Sequence, residues 1–403
     1  MKSKIILPSL IGLIFTMLCS SCTGGVQINN VPNEPNVVSP VFHDMVESLN
    51  VVSWLTGPHA TTNTLTEWGI GGTDLGIPFY DSEENKMYFA FGDTYLGYAG
   101  DGDIRSGVWR SNVIGVTTDY NAKNGITFDY FLNDDGEMAK QIIGRIQSDN
   151  VEVTNIPTGG IFINGTMYLF HMSVRHWGNS GDWEINYAGC FKSEDKGETW
   201  SKVRNLIWTE SDSTVVQYVS GLSKERCRNS LSDNFLQIFP VDGKDGYIYL
   251  YGIPGGRTGG VKLMRVTPEN FEVYEEYEYY LGNDSGNNPI FEKGSEARLA
   301  LHNSDVGYII PPQFGEISVM YNPYLQKWVA MSQVGNKDLY IRLADKPWGE
   351  FSEAILIARQ TDYPVLYCGF IHEKYTEENG KVMYFFMSRW DEYNVEVMRL
   401  EFK

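Results

Sequence analysis

Hydrophobic positions along this chain fall into short runs separated by turn residues, and beyond residue 51 no amphipathic stretch extends past a few helical turns. Runs rich in aromatic and β-branched residues are typical of β-strands. They recur as a loose unit: an apolar strand, a turn, an aromatic-rich strand and two weaker strands. The pattern predicts an all-β chain of repeated units, which start at Gly71, Pro157, Phe235, Ile317 and Val365.

The turns between the paired runs support hairpins within each unit. Asn164-Gly165 separates two apolar runs in the second unit, and this dipeptide is a strong signal for a two-residue hairpin turn. Multi-stranded units around one axis would protect their sheet edges, as the blades of β-propellers do. The predicted fold is therefore a single five-bladed β-propeller over residues 51–403. A two-domain β-sandwich is the alternative.

One motif is typical of propeller hairpins. Residues 193–200 read S-E-D-K-G-E-T-W, which fits the pattern S-x-D-x-G-x-T-W known as the Asp box. We expect Asp195 to accept hydrogen bonds from turn amides, Gly197 to adopt a positive φ and Trp200 to pack under the hairpin. The motif thus predicts a structural role for Asp195 rather than a catalytic one.

Charge and cysteine usage narrow the function. The chain has 403 residues and a formal net charge of -19. No basic cluster interrupts this charge, so nucleic acid is a poor candidate ligand, whereas neutral polysaccharides remain open. Beyond residue 22 the cysteines are Cys190, Cys227 and Cys368, whose wide spacing and odd number predict neither a disulfide framework nor a zinc site. We expect them to be buried as small apolar residues.

The N-terminus has the pattern of an export signal. Two lysines precede an apolar run that ends at Ser20-Ser21-Cys22 and is too short to span a bilayer. Small residues directly before a cysteine resemble a bacterial lipobox, in which Cys22 is lipidated; plain secretion is the alternative. We predict a signal peptide over residues 1–21 and a tether over 22–50. The protein would then be an exported bacterial lipoprotein of the outer membrane, cell surface or periplasm.

Three carboxylates stand where predicted strands reach one end of the fold. Asp74 lies just before the first strand pair, Asp93 follows the apolar run 87–91, and Glu316 precedes the fourth unit. Glycoside cleavage needs one carboxylic acid to protonate the leaving oxygen and one carboxylate to act as base or nucleophile. The alternative for each of the three is a turn-capping side chain.

Other side chains at the same predicted strand ends could bind a sugar, through hydrogen bonds to its hydroxyls or through stacking on its apolar face. These substrate-binding candidates are Arg110, Asn112, His171, Gln237, Arg257, Arg389 and Trp390. His171 and His176 lack a third obvious ligand, so neither a metal nor another cofactor is predicted. Binding of a cation in the central channel is left open as an alternative.

Several segments taken together carry the motifs of a known family. The most specific are G-T-D-L-G-I-P-F, F-G-D-T-Y and W-R-S-N-V in the first unit. Further segments are Y-I-Y-L-Y-G-I-P-G-G-R, E-I-S-V-M-Y-N-P-Y-L-Q-K-W, G-F-I-H-E-K-Y and M-S-R-W. Over about Asp74 to Trp390 the chain resembles the former domain of unknown function 4185, now glycoside hydrolase family 183.

This resemblance implies a five-bladed propeller and an endo-acting D-arabinanase, which cuts the D-arabinofuranose chains of mycobacterial arabinogalactan and lipoarabinomannan. Its motifs place acids at Asp74 and Asp93, and we rank Glu316 third, in a reaction expected to invert the anomeric configuration. One alternative is a non-catalytic glycan-binding lipoprotein on the same fold. Another is a propeller glycosidase of different specificity, such as a sialidase, which the Asp box suggests.

Overall fold

The computed structural model describes residues 45–97, 104–133 and 138–403. The predicted signal peptide, Cys22 and most of the predicted tether lie outside these residues. In the described part, antiparallel strands form five small sheets, and these are the blades of a five-bladed β-propeller. The predicted fold is confirmed.

The strands are labelled in chain order, and four of the five blades are continuous in sequence. The first strand of the chain is β1 (Val46–Trp54). Blade I comprises β2 (Ile70–Asp81), β3 (Lys86–Leu96), β4 (Val108–Arg110), β5 (Val113–Thr117) and β6 (Tyr130–Phe131). Blade II comprises β7 (Thr154–Ile163), β8 (Thr166–His176), β9 (Glu184–Ser193) and β10 (Ser201–Thr209).

Blade III is the largest sheet. It comprises β11 (Gln237–Asp242), β12 (Ile248–Ile253), β13 (Val261–Val266), β14 (Glu278–Asn283), β15 (Pro289–Lys293) and β16 (Tyr308–Ile310). Blade IV comprises β17 (Ile317–Asn322), β18 (Lys327–Gln333), β19 (Leu339–Ala344) and β20 (Ile355–Ala358). Blade V joins β21 (Leu366–Glu377), β22 (Val382–Arg389) and β23 (Asn394–Phe402) to β1.

Helices are short and lie in the connections. The described α-helices are α1 (Thr64–Trp68), α2 (Thr214–Ser220), α3 (Lys224–Arg228) and α4 (Gly294–Leu301). Single 3₁₀ turns occur at Ile104–Ser106, Pro268–Asn270, Tyr274–Glu276 and Glu378–Gly380. None of the helices in the described ranges has the length and apolar character needed to cross a membrane.

The innermost strands of the five blades are β2, β7, β11, β17 and β21, and they contact one another in that cyclic order. Their first halves line one small cavity on the axis, and their second halves line a wider one. The inner strands therefore all run in the same direction. We name the end where they begin the front face and the end where they finish the back face.

The ring is closed by the two ends of the described chain. β1 pairs with β23, from Val46 opposite Phe402 to Trp54 opposite Glu396, and so forms the outer edge of blade V. The predicted boundary between tether and domain, at residue 50, is wrong because it falls inside this strand. Residues 46–50 read V-E-S-L-N, a mixed polar pattern that suits a half-buried edge strand and gives little sequence signal.

Aromatic side chains pack the blades against one another. Phe79 stacks on Phe162 between blades I and II, at 5.9 Å between ring centroids. Phe89 meets Phe386 of blade V edge to face at 4.8 Å. Such pairs add to the hydrophobic free energy gained by burial. Cys190, Cys227 and Cys368 are all buried free thiols, as the sequence predicted.

The Asp box forms the turn between β9 and β10 on the back face. Asp195 Oδ1 accepts hydrogen bonds from the Thr199 amide at 2.8 Å and the Ser193 hydroxyl at 2.7 Å. Gly197 has φ 100°, and the Trp200 indole donates to the Gly197 carbonyl at 3.0 Å. The structural role predicted for Asp195 is confirmed by these contacts.

Candidate active site

Asp74 and Asp93 lie opposite each other on paired strands, in an irregular stretch of blade I. Thr73 pairs with Thr94, and Leu75 pairs with Phe91, so one residue of β2 opposes two residues of β3. This β-bulge places Asp74 opposite Gly92 and Asp93. Bulges re-aim side chains and are frequent beside active sites. Asp93 was expected to follow the strand formed by the apolar run 87–91, but it lies within β3, which continues through the bulge to Leu96.

Gly92 makes room for the Asp74 carboxylate. A Cβ atom added at residue 92 would lie 2.3 Å from Asp74 Oδ1, far inside van der Waals contact. Asp74 can therefore occupy its position only if residue 92 has no side chain, as glycine does. This explains why the F-G-D-T motif carries glycine directly before Asp93.

The backbone around Asp74 adopts unusual conformations. Most non-glycine residues with positive φ in the described chain are polar turn residues, but four are apolar or aromatic. All four lie on segments that carry Asp74 or its two tyrosine partners: Leu75, Val365, Cys368 and Tyr393. Strained φ values of this kind cluster at functional sites, where the surrounding structure holds them in place.

Asp74 is held by two tyrosines of blade V. The hydroxyls of Tyr367 and Tyr393 donate to Asp74 Oδ2 at 3.0 and 3.3 Å. Asp74 Oδ1 is shielded from solvent and accepts no hydrogen bond. Burial, followed by the neighbouring charges of Asp93 and Glu316, raises the pKa of Asp74 to about 8, against the opposing effect of the two tyrosines. Asp74 is thus a neutral carboxylic acid at pH 7.

Asp93 has a more polar environment. It is 6% exposed, and Thr154 at the start of β7 donates to its Oδ1 at 2.7 Å. Burial raises the pKa of Asp93 to about 6, while the Thr154 hydroxyl, the Trp109 indole and the positive Arg145 act to lower it. At pH 7 Asp93 is mainly ionised. Two adjacent carboxyls with separated pKa values are the arrangement that acid–base catalysis uses.

Glu316 forms an ion pair with Arg257. The guanidinium binds both carboxylate oxygens, through Nε and Nη2, at 2.8 Å each. Burial opposes the charged form of Glu316, but Arg257 outweighs it and lowers the pKa of Glu316 below its ordinary value. Glu316 therefore stays ionised and is unsuited to donate a proton. Its negative charge acts on Asp74, whose pKa it raises.

Aromatic rings surround this centre on the front face. The rings form two groups, and within each group neighbouring ring centroids lie 5.5 to 6.5 Å apart. The guanidinium of Arg257 joins the two groups, because it lies 5.1 Å from the Trp183 ring and 5.5 Å from the Tyr367 ring. The aromatic arc, as we name it, consists of Trp177, Trp183, Tyr367, Trp390, Tyr393, Tyr95 and Trp109. Trp390, a predicted sugar-stacking residue, is 52% exposed within this arc.

Two predicted substrate-binding residues are in the core. Asn112 is fully buried, and its side chain holds the 142–144 segment and β7 through bonds to backbone groups of Ile142, Ile143 and Asn155. His171 is fully buried, bonds to the Asn155 side chain at 3.0 Å, and burial lowers its pKa to about 3. Both predictions are corrected: these side chains stabilise the junction between blades I and II.

Two of the remaining candidates hold backbone or other side chains, and a third is partly exposed. Gln237 is buried and donates to the carbonyls of Pro254 and Gly256, which fixes the turn before Arg257. Arg389 binds the Pro364 carbonyl and Glu396 within blade V, and its contact with substrate stays a prediction. Arg110 lies partly exposed on β4, next to Arg145, and remains a candidate for substrate binding.

Three of the closest neighbours of the acids were not predicted from the sequence. Tyr367 and Tyr393 are 293 and 319 residues from Asp74 in sequence. Arg145 lies in an irregular connection, 4.0 Å above the Trp109 ring, and bonds to the Ser111 hydroxyl and the Trp109 carbonyl. Only the M-S-R-W segment, just before Tyr393, marked that region as part of a motif.

The wider cavity on the back face is a weaker candidate for chemistry. It has a volume of about 220 Å³, and its acids Asp242 and Glu373 both pair with Lys244. The axial cavity at the front measures only about 20 Å³ and is lined by Glu316 and Gln237 among apolar side chains. Across the described ranges, no group of three His, Cys, Asp or Glu side chains is arranged to hold a metal ion.

Comparison with known proteins identifies the family of this chain. The family model described as "Domain of unknown function (DUF4185)" matches residues 59–399. The chain belongs to this family. A relative from Aspergillus versicolor, notoamide biosynthesis cluster protein J', is 25% identical over 339 residues, which are 80% of this chain and 82% of that protein.

Similar solved structures include one described as a hydrolase and one of an α-L-arabinofuranosidase. A Bacteroides ovatus protein described as a hydrolase candidate has a TM-score of 0.51 at 13% identity, with 83% of this chain and 87% of that chain covered. The α-L-arabinofuranosidase of Podospora anserina, solved with cellotriose, has a TM-score of 0.42 at 12% identity, with 88% and 97% covered. At 13% identity the similarity to the Bacteroides ovatus protein shows the fold alone.

Proposed function

We propose that this protein is a glycoside hydrolase that cleaves D-arabinofuranosyl linkages within arabinan chains, such as those of mycobacterial arabinogalactan and lipoarabinomannan. The observation that carries the proposal is the pair of adjacent carboxyls whose pKa values are separated, about 8 for Asp74 and about 6 for Asp93. The motifs around both acids support the choice of polymer through their resemblance to the endo-D-arabinanase family.

In this proposal Asp74 is the general acid. As a neutral carboxyl at pH 7 it transfers a proton to the glycosidic oxygen as the bond to the anomeric carbon breaks. Asp93 is the general base and removes a proton from the attacking water. Glu316, held by Arg257, contributes a fixed negative charge that keeps Asp74 protonated.

Direct attack by water inverts the anomeric configuration, and the carboxyls of inverting enzymes are about 6.5–9.5 Å apart. Proton NMR of the first product formed would identify its anomer. Inversion supports a single displacement. Retention would assign Asp93 the role of nucleophile and leave the hydrolase proposal intact.

The activity is tested by incubating the protein with arabinogalactan and measuring new reducing ends. Release of oligosaccharides by the wild type, and none by Asp93→Asn, supports the proposal. Binding without new reducing ends would favour a non-catalytic glycan-binding protein. Release of sialic acid, or of L-arabinose from plant arabinan, would replace the proposed specificity by another.

We also propose that Cys22 anchors the protein to a bacterial membrane through a lipid, with residues 22–45 as the tether. Small residues before the cysteine support this proposal. Metabolic labelling with a fatty acid should mark the wild type and not Cys22→Ala. An unlabelled wild type released from the cell would indicate plain secretion.

A further inference from the structure

The aromatic arc extends beyond the two acids. Trp177 is the first residue after β8, so it lies on the front face, where its ring is 39% exposed. It meets Trp183 edge to face at 5.6 Å. Blade I, which carries the acids, lies between blade II, which carries Trp177, and blade V, where the exposed Trp390 contacts Tyr367 and Tyr393. Two exposed indoles thus flank the acid pair.

The loop that carries Trp177 is fixed by other blades. The Arg257 amide of blade III donates to the Gly181 carbonyl at 2.8 Å, and the Asn336 side chain of blade IV bonds to the Ser180 carbonyl. A Cβ at Gly256 would lie 2.4 Å from the Gly181 oxygen, so the two segments are in close contact. Trp177 is therefore presented by an anchored loop, and little conformational entropy would be lost on binding.

The same arginine connects this loop to the acids. Arg257 lies over the rings of Trp183 and Tyr367, binds Glu316, and donates to Asn336 at 3.1 Å. Tyr367 in turn donates to Asp74. The position of Trp177 relative to the acid pair is thus set by a continuous series of contacts.

We propose that Trp177 forms a distal subsite, which binds a sugar residue of the same chain at a distance from the bond that is cleaved. The occupant is a furanose ring whose apolar C–H face stacks on the indole, since the negative face of an aromatic ring attracts such C–H groups. This inference rests on the proposed function. An indole on each side of the acids gives a polymer a stacking surface in both directions from the cleaved bond, as cleavage within a chain requires.

The test compares Trp177→Ala with Trp177→Phe, which keeps an aromatic face, and with Tyr321→Ala, a partly exposed aromatic on the back face. The substrates are D-arabinofuranosyl oligosaccharides of increasing length. We expect kcat/KM of Trp177→Ala to fall about tenfold on long oligosaccharides and to be unchanged on the shortest cleaved one. Trp177→Phe should recover most of the loss, and Tyr321→Ala should match the wild type.

Binding gives a second readout. In an Asp93→Asn background, the added Trp177→Ala change should reduce retardation of the protein in native gels that contain arabinogalactan. A wild type that cleaves arabinogalactan, together with a Trp177→Ala variant that has unchanged length dependence and retardation, would overturn the subsite alone. A wild type that neither cleaves nor binds arabinogalactan would overturn the proposed function and the subsite with it.

Discussion

Two aspartates in hairpins at opposite ends of the propeller differ in almost every physical respect. Asp195, in the Asp box on the back face, accepts hydrogen bonds from Ser193 and Thr199, and those from Thr199 contribute most to lowering its pKa to about 2. Asp74, on the front face, has one oxygen without a partner, and burial raises its pKa to about 8. A structural aspartate is satisfied by its turn, whereas the candidate catalytic one is kept neutral.

The difference in pKa comes from the groups that surround each carboxylate. The Asp box folds back on itself, so its own amides and hydroxyls reach the carboxylate. Asp74 projects from a bulge between blades, where the groups that reach it come from blade V and from an acidic neighbour. Polar groups buried without full hydrogen bonding cost stability. Such a cost at Asp74 is typical of functional sites.

The largest effect is expected for Asp74→Asn and Asp93→Asn. Each should lower kcat by about 10³-fold or more, because a proton donor or acceptor is lost. Neither should unfold the protein. The raised pKa of Asp74 makes the wild type less stable as pH rises from about 4 to about 8. Asp74→Asn should remove this contribution and leave the smaller one of Asp93, between about pH 4 and about pH 6. Melting curves across this pH range, with circular dichroism at each pH, check the prediction; unfolding of either variant would indicate a structural cap.

A smaller loss is expected for Gly92→Ala. The new methyl group would displace the Asp74 carboxylate, and misplacement of a catalytic group by about 1 Å can cost about 10²-fold in kcat. Gly144→Ala is the matched control, because a Cβ there meets nothing within 4 Å. Equal kinetics of the two variants would show that the position of Asp74 does not matter for turnover.

Tyr367→Phe should change pH dependence more than rate. The lost hydroxyl lowers the pKa of Asp74 in the wild type, so its removal should raise that pKa further. If Asp74 is the general acid, the alkaline limb of the kcat/KM profile should move upward from about pH 8. Tyr249→Phe, which removes a hydroxyl bonded to Asp245, is the control. A downward shift, or the same shift in both variants, would contradict the assignment.

The smallest effect on activity is expected for Asp195→Ala. Its lowered pKa means that ionised Asp195 stabilises the fold above about pH 4 and that this contribution is lost as pH falls towards 2. The variant should melt below the wild type at pH 7, the gap should close towards pH 2, and kcat should be unchanged below the melting transition. A loss of turnover at low temperature would mean that the Asp box supports the site.

The sequence predicted the features that depend on residues close together in the chain. Strand runs, the turn dipeptide and the Asp box predicted the propeller. The apolar run before F-G-D-T pointed to Asp93, and in the structure Asp74 lies opposite it on the adjacent strand. The sequence could not predict that Tyr367 and Tyr393 would reach Asp74 from blade V. Nor could it show that Asn112 and His171 point into the core, since a polar residue near a strand end has the same pattern in either orientation.

At neutral pH we expect a protonated Asp74 opposite an ionised Asp93. Carbon-13 NMR of protein labelled at the aspartate carboxyls tests it without a substrate. We predict one carboxyl resonance that titrates near pH 8 and is missing in Asp74→Asn, together with one that titrates near pH 6 and is missing in Asp93→Asn. If every aspartate instead titrates below about pH 5, as unperturbed carboxyls do, the account of this site is wrong.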